Sequence, residues 1–189
     1  MTAPHKHHAC PVWIGWLLLN PLRRLLQDPR KILAPCVRPG MRALDFGCAM
    51  GFFTLPLAEL VGPTGRVYAV DVQDGMLDQL KRRAARRGLS GRIFIRRCGH
   101  EDFGLQEFEG AMDFILAFAV IHEVPDVQRL LAAFHRALKP GGTLLIAEPK
   151  GHVDGPAFEA EVRIAKETGF ILRTTPRVGC AYAALLAKQ

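Results

Sequence analysis

The stretch at 42–71 constrains the fold more than any other part of the chain. It contains a short apolar strand (RALDF at 42–46), a loop with Gly47 and Gly51, a helical segment, and a second apolar strand that ends at Asp71. The glycines allow a sharp turn and a close approach of backbone to ligand. A helix after such a loop points unpaired N–H groups at that ligand. The pattern predicts a nucleoside site in which Asp71 accepts hydrogen bonds from two ribose hydroxyls.

The spacing of the loop narrows the choice of ligand. The loop reads D-x-G-x-x-x-G at 45–51. A dinucleotide loop requires G-x-G-x-x-G, and a phosphate loop requires G-x-x-x-x-G-K-[ST]. The chain has neither the third glycine of the first nor the lysine of the second, so the pattern favours neither ligand.

Strands and helices are predicted to alternate along the chain. Continuous apolar strands between helical patterns indicate a parallel sheet covered on both faces. Gly62-Pro63, Gly88 and the segment 140–142 are predicted to end the first three helices. The predicted strands are 42–46, 66–70, 92–97, 112–118, 142–147, 170–173 and 180–187, and the predicted helices are 52–60, 74–87, 126–138 and 156–168.

Three motifs in register resemble the class I S-adenosylmethionine-dependent methyltransferases. DFGCAMG at 45–51 resembles their first motif, DFILAFAVIH at 113–122 their fourth strand and the loop after it, and LKPGGTLLI at 138–146 the turn into their fifth strand. The resemblance implies an α/β fold with a doubly wound, seven-stranded, mostly parallel sheet of order 3-2-1-4-5-7-6, whose last strand is antiparallel. It implies an S-adenosylmethionine-binding methyltransferase domain at 36–189, with 1–35 as a small N-terminal helical cap over the substrate.

The resemblance also implies a set of cofactor-binding residues. The loop lies under the methionine part, and Ala49 stands where the family often has glycine, so its methyl group is tolerable there if φ stays negative. Gly99 aligns with the family's adenine-binding aspartate. The substitutes are His100, which is preferred, Glu101, or a backbone carbonyl and N–H alone. The cofactor site is therefore predicted to contain Asp45, Gly47, Cys48, Ala49, Gly51, Asp71, Val72, Gly99, His100 and Phe118.

His122 is the candidate catalytic residue because it follows the fourth strand, where the acceptor meets the methyl group. It is interpreted either as a general base near neutral pH or as a polar residue that contacts the cofactor or caps the next helix. Glu148 and His152 flank the same position, but nothing fixes a ligand geometry, so no metal centre is predicted. The Asn/Asp-Pro-Pro-Tyr/Phe motif of enzymes that methylate base amines is missing from this loop.

Composition sets limits on partners and location. The net charge is +7, with a basic stretch at 81–97. The aromatic residues are not interleaved with these arginines as stacking platforms would be, so a solvated helix face is favoured over a nucleic-acid footprint, which is not excluded. No apolar run reaches the roughly 20 residues of a membrane span. There is no signal-peptide pattern, and five cysteines form no C-x-x-C pair, so a cytoplasmic protein is expected.

The first 35 residues support several readings. Trp13, Trp16 and Leu17, with Phe118, are expected to supply an apolar acceptor pocket, although the tryptophan segment also fits a membrane surface or a homodimer interface. His5, His7, His8 and Cys10 are interpreted as a tail rather than as a soft-metal site. The expected function is methyl transfer to a small apolar, thiol-bearing or oxygen-bearing acceptor. The alternatives are an RNA or protein methyltransferase, a metalloid methyltransferase, and a non-catalytic cofactor-binding protein.

Overall fold

A computed structural model describes residues 27–99 and 102–189 of the chain. Seven strands form one sheet of order β3-β2-β1-β4-β5-β7-β6. Every neighbouring pair is parallel except those of β7, which runs antiparallel to both β5 and β6. The predicted fold class and strand order are confirmed. The strands are β1 (Arg42–Phe46), β2 (Arg66–Asp71), β3 (Ile93–Arg97), β4 (Met112–Phe118), β5 (Leu138–Pro149), β6 (Phe170–Thr174) and β7 (Ala181–Lys188).

Helices cover both faces of the sheet, because each strand of the parallel part feeds a crossover connection. One face carries α1 (Pro29–Leu33), α2 (Thr54–Leu60) and α3 (Asp74–Arg86), and the other carries α4 (Val127–Ala137) and α5 (Gly155–Glu167). Short 3₁₀ helices occupy Gln106–Phe108 and Ile121–Glu123. Two apolar clusters result, one on each face, as expected for a buried parallel sheet.

β5 is longer than predicted. It begins at Leu138, immediately after α4, rather than at 142. Its register with β4 jumps from Met112↔Leu138 to Phe114↔Thr143, so residues 139–142 bulge from the pairing. Pro140 donates no backbone hydrogen bond, and Gly141 has a φ of +78°. The segment 140–142 therefore forms an irregular start to a strand, and α4 has already ended before it.

The helix after the glycine loop begins later than predicted. Residues 49–53 form turns, and α2 starts at Thr54. Thr54 is fully buried and donates its hydroxyl to Asp45 Oδ2 at 2.6 Å. The backbone that follows Gly47 at the carboxyl end of β1 is therefore an irregular turn, and the helix begins only after it.

Residues 1–26 lie outside the described part of the chain. Most of the proposed cap falls in this segment, as do the predictions for Trp13, Trp16, Leu17 and Cys10. The boundary at 35 stays a prediction, because α1 precedes it and already packs on α2. Leu33 and Val37 are buried in the same cluster. Within the described ranges, no helix is long and apolar enough to cross a membrane.

Candidate functional site

The glycine loop turns at the carboxyl end of β1 and is tied to β2. The N–H groups of Gly47 and Cys48 both donate to Val70 O, at 2.8 and 3.0 Å. Gly47 and Gly51 have φ values of +74° and +80°. A Cβ on Gly47 would lie 2.6 Å from Val120 Cγ2, and one on Gly51 would lie 2.4 Å from Leu80 Cδ1. Glycine is therefore required at both positions by the positive φ and by the nearby side chains, independently of any ligand.

Asp71 holds the loop in place. Its Oδ2 accepts the Ala49 N–H at 2.9 Å and its Oδ1 accepts the Gln73 N–H at 3.0 Å. Ala49 has a φ of +45°, so the condition of a negative φ under which its methyl group is tolerated without strain is not met. The left-handed conformation costs a non-glycine residue roughly 1–2 kcal/mol, and the hydrogen bond to Asp71 offsets part of that cost. Each carboxylate oxygen keeps a second lone pair that a ribose hydroxyl is able to use.

Asp45 is the second buried acid of the site, 3% exposed. Burial raises its pKa to about 7, while the Thr54 hydroxyl lowers it and the charge of Asp71 raises it further. Burial likewise raises the pKa of Asp71. No cation among the described residues forms an ion pair with either acid. Two buried carboxyl groups of this kind fit a ligand that carries hydroxyl and cationic groups.

Cys48 lies in the same loop, fully enclosed. Burial first, and then the charges of Asp45 and Asp71, raise the pKa of its thiol well above the ordinary value. The thiol therefore stays protonated at neutral pH, which suits a small packing residue and not a nucleophile.

The turn after β4 meets this loop. Val120 contacts the Gly47 position, and the preceding residue, Ala119, has a φ of +56°. Ala49 and Ala119 are the non-glycine residues with positive φ in the described ranges. Both flank one mouth at the carboxyl ends of β1 and β4, where such strain is typical of functional sites. At the end of β4, Phe118 is buried, with its ring 4.4 Å from that of Phe53.

His122 and Glu148 form a pair at this mouth. His122 Nδ1 lies 2.5 Å from Glu148 Oε2. The other oxygen of Glu148 accepts the N–H groups of Ile121 at 2.8 Å and Val120 at 3.3 Å. Glu148 is fully buried, and these contacts compensate its charge. Since Nδ1 faces a carboxylate, we assign the ring proton of neutral His122 to Nδ1, which leaves Nε2 to accept a proton.

The protonation of His122 is shifted by its surroundings. The hydrogen bond to Glu148 raises the pKa of the imidazole, burial lowers it, and the charges of Glu148, Glu123 and Glu161 raise it. The ring of His152 lies 5.4 Å away, edge to face. The sequence analysis singled out His122 and placed Glu148 beside it, but it missed Glu161. The sequence signal for Glu161 is a carboxylate on the apolar face of a predicted helix. No group of three or more potential metal ligands occurs in the described ranges.

The adenine side of the site is only partly described. His100 lies outside the described residues. The Gly99 N–H donates to Asp102 O at 2.8 Å. Asp102 Oδ1 accepts from Gln106 Nε2 at 2.6 Å and from the Gly104 N–H at 3.0 Å, and these bonds lower the pKa of this carboxyl. Val72, next to Asp71, is partly buried against the core. The adenine assignments stay predictions.

The arginines of the sheet edge differ from expectation. The guanidinium carbons of Arg66 and Arg96 lie 5.5 and 5.3 Å from the ring centroids of Phe94 and Phe108. Phe108 is a core residue, as expected, whereas Phe94 lies within the basic stretch and is 40% exposed, so the prediction that the aromatic residues are core-like fails at Phe94. The basic stretch is, however, partly neutralised internally. The ion pairs are Arg87–Glu59, Arg96–Glu107 and Arg97–Asp74.

Comparison with known proteins agrees with this geometry. A family model described as a methyltransferase domain matches residues 38–175. The demethylmenaquinone methyltransferase of Geobacillus stearothermophilus is 31% identical over 112 residues, which make up 59% of this chain and 47% of that protein. The nocamycin O-methyltransferase of Saccharothrix syringae is 33% identical over 135 residues, 71% of this chain and 45% of that protein. The chain thus spans about half the length of these curated relatives.

Solved structures share the whole fold. A SAM-dependent methyltransferase from Aquifex aeolicus superimposes with a TM-score of 0.83 at 26% identity, over 96% of this chain and 100% of that chain. The match therefore includes the sheet and both helical layers that position the site.

Proposed function

The chain belongs to the S-adenosylmethionine-dependent methyltransferase family, and we propose that it transfers a methyl group to a small-molecule acceptor with His122 as the general base. The observation that carries the proposal is the His122–Glu148 pair, 2.5 Å apart, at the mouth that the glycine loop and the turn after β4 share. An orienting carboxylate behind Nδ1 leaves Nε2 as the proton acceptor, which is the arrangement that general-base catalysis requires.

The cofactor is held in this proposal by the two buried acids and the loop. Asp71 binds the ribose hydroxyls, and Asp45 attracts the cationic methionine end. Burial makes both interactions stronger than they are in water. The remaining contacts are assigned to Gly47, Cys48, Ala49, Gly51, Val72, Gly99, His100 and Phe118.

When bound, S-adenosylmethionine supplies an activated methyl group on a sulfonium: the acceptor lone pair bonds to the methyl carbon, and the carbon–sulfur electrons return to sulfur. His122 Nε2 receives the acceptor's proton, and Glu148 stabilises the imidazolium that results. A base of this kind is needed only when the acceptor atom is protonated at neutral pH. We therefore assign a hydroxyl, thiol or ammonium as the reacting group.

The acceptor class rests on the relatives and on the site. Nocamycin and demethylmenaquinone, named in the relatives, are both small molecules, and the mouth of this site holds no base-amine motif. The apolar residues at 13–17 are proposed to cover the acceptor, and a homodimer and a cytoplasmic location stay predictions. Binding of S-adenosylmethionine without turnover on any acceptor would favour a non-catalytic binding protein, and salt-sensitive binding of RNA would favour a nucleic-acid substrate.

The proposal is tested by following formation of S-adenosylhomocysteine with a panel of phenols, thiols and amines. His122→Gln should lower kcat by about 10²-fold or more, the lower end of the range for general acid–base catalysis. His135→Gln is the matched control, because that ring packs against Phe170 away from the mouth. Wild-type kcat in His122→Gln from pH 6 to 9 would remove the base from the mechanism and leave alignment alone.

A further inference from the structure

Glu161 occupies a position of α5 that the helix pattern reserves for an apolar side chain. The buried residues of this helix are Phe158, Glu161 and Ala165, which share one face at spacings of three and four residues. Glu161 is 8% exposed, close to the 6% of Phe158. A carboxyl group in such a position is costly unless its surroundings use it.

The carboxyl group of Glu161 is unusual among the described acids. Its Oε2 is shielded from solvent and has no hydrogen-bond partner within the described ranges. Burial raises the pKa of Glu161 to about 7, the charge of Glu148 raises it further, and His122 lowers it. Glu161 therefore changes its charge in the pH range in which an imidazole does.

The position of α5 places this carboxyl group behind the His122–Glu148 pair. Glu148 is opposite Tyr182 in the β5–β7 ladder, and the Tyr182 ring stacks on Phe158 at 5.7 Å. Phe158 precedes Glu161 by one turn of the same buried face. Tyr182 is the titratable group that β7 places against this face. Among the described residues, Glu148 and His122 are the charged groups that shift the pKa of Glu161.

We propose that Glu161 is a positioning residue for methyl transfer that acts through His122, by adding or withholding a second negative charge behind the imidazole. The proposal rests on the base function assigned to His122 above. With Glu161 neutral, Glu148 is the carboxylate that stabilises the imidazolium, and the pKa of His122 is raised less, so the ring more readily gives up its proton and accepts one from the substrate. With Glu161 ionised, its charge raises the pKa of the imidazole further, so a smaller fraction of His122 is free to act as a base.

The first test follows the ring signals of His122 in the full chain by NMR between pH 5 and 9, with His122→Gln identifying them. Because two coupled groups titrate in this range, the wild-type curve should be broader than a single-site curve. Glu161→Gln fixes the neutral form, so the curve should become single-site and its midpoint should move to lower pH, the direction expected when a nearby negative charge is lost. Glu159→Gln, exposed on the same helix, is the matched control. A Glu161→Gln curve that superimposes on wild type overturns the proposal.

A second measurement leaves Glu161 intact, in case its substitution disturbs folding. Coupling is reciprocal, so His122→Gln should raise the pKa of the Glu161 carboxyl, read from its ¹³C shift. An unchanged Glu161 titration overturns the proposal.

The pH dependence of the transfer rate separates the role of Glu161 from the base function of His122. The acidic limb of the pH–rate profile should move down in Glu161→Gln and stay in place in Glu159→Gln. If His122 and Glu161 titrate independently and His122→Gln loses methyl transfer, the proposed role of Glu161 is rejected and His122 remains the base. If the two groups titrate together and His122→Gln keeps the wild-type rate, His122 is not the base, and the proposed role of Glu161 in the reaction is rejected as well.

Discussion

Asp71→Ala is expected to damage both cofactor binding and the loop that forms the site. The carboxylate accepts the N–H groups of Ala49 and Gln73 while it is 8% exposed. Removing a buried acceptor and leaving its donors unpaired costs about 1–3 kcal/mol. Loss of the ribose contacts should weaken binding by about 1–3 kcal/mol, or roughly 5- to 150-fold in Kd. We expect a loss of similar size in the free energy of unfolding.

The assay is calorimetric titration with S-adenosylmethionine and S-adenosylhomocysteine, combined with urea unfolding. Both ligands contain the same ribose, so the loss of affinity should be equal for the two within about 0.5 kcal/mol. Asp71→Asn keeps an acceptor oxygen for one N–H and should lose less stability. Asp78→Ala, exposed on α3, is the control. Wild-type affinity in Asp71→Ala refutes the ribose assignment, and a loss confined to S-adenosylmethionine would move the contact to the sulfonium.

Three further predictions concern stability and the cap. The pKa of Asp45 is raised to about 7, so its contribution to stability is fully present below about pH 4 and is lost as pH rises to about 7, at about 1.4 kcal/mol per pKa unit. Asp45→Asn should flatten that part of a urea-unfolding profile, and an unchanged slope would contradict the burial argument. Ala49→Gly should change the free energy of unfolding by less than about 1 kcal/mol, because relief of the left-handed φ is offset by glycine entropy. Gly51→Ala should lower the free energy of unfolding by more than about 2 kcal/mol, because the added Cβ collides with Leu80. Equal changes in the two variants would show that backbone φ and packing do not determine which residue is tolerated at 49 and 51. Deleting residues 1–20 should leave cofactor affinity intact and abolish transfer, and full activity would make this segment a tail.

Much of the fold could be predicted because its signals are local. The apolar runs of β1 and β2, the positions of Gly47 and Gly51, and the alternation of strands with helices follow from periodicity and turn chemistry, which act over a few residues. Together with the resemblance they were sufficient for the strand order and for the placement of Asp71 at the carboxyl end of β2. The same local signals misplaced the start of β5, because its bulge depends on pairing with β4, a neighbour distant in sequence.

The chemistry of the site depends on contacts that no local pattern contains. His122 and Glu148 are adjacent only because β4 and β5 pair in parallel and end at the same edge of the sheet. The positive φ of Ala49 is accompanied by a hydrogen bond to the Asp71 carboxylate from another strand. The charge of Glu161 acts on His122 only because α5 packs on β7. Residue type and spacing were sufficient for the layers of the fold and for singling out Asp45, Asp71 and Glu148, but not Glu161. The burial of these acids, their neighbours and their charge near neutral pH follow from the tertiary structure alone. Desolvation and Coulomb interactions depend on distance in space, which the sequence does not contain.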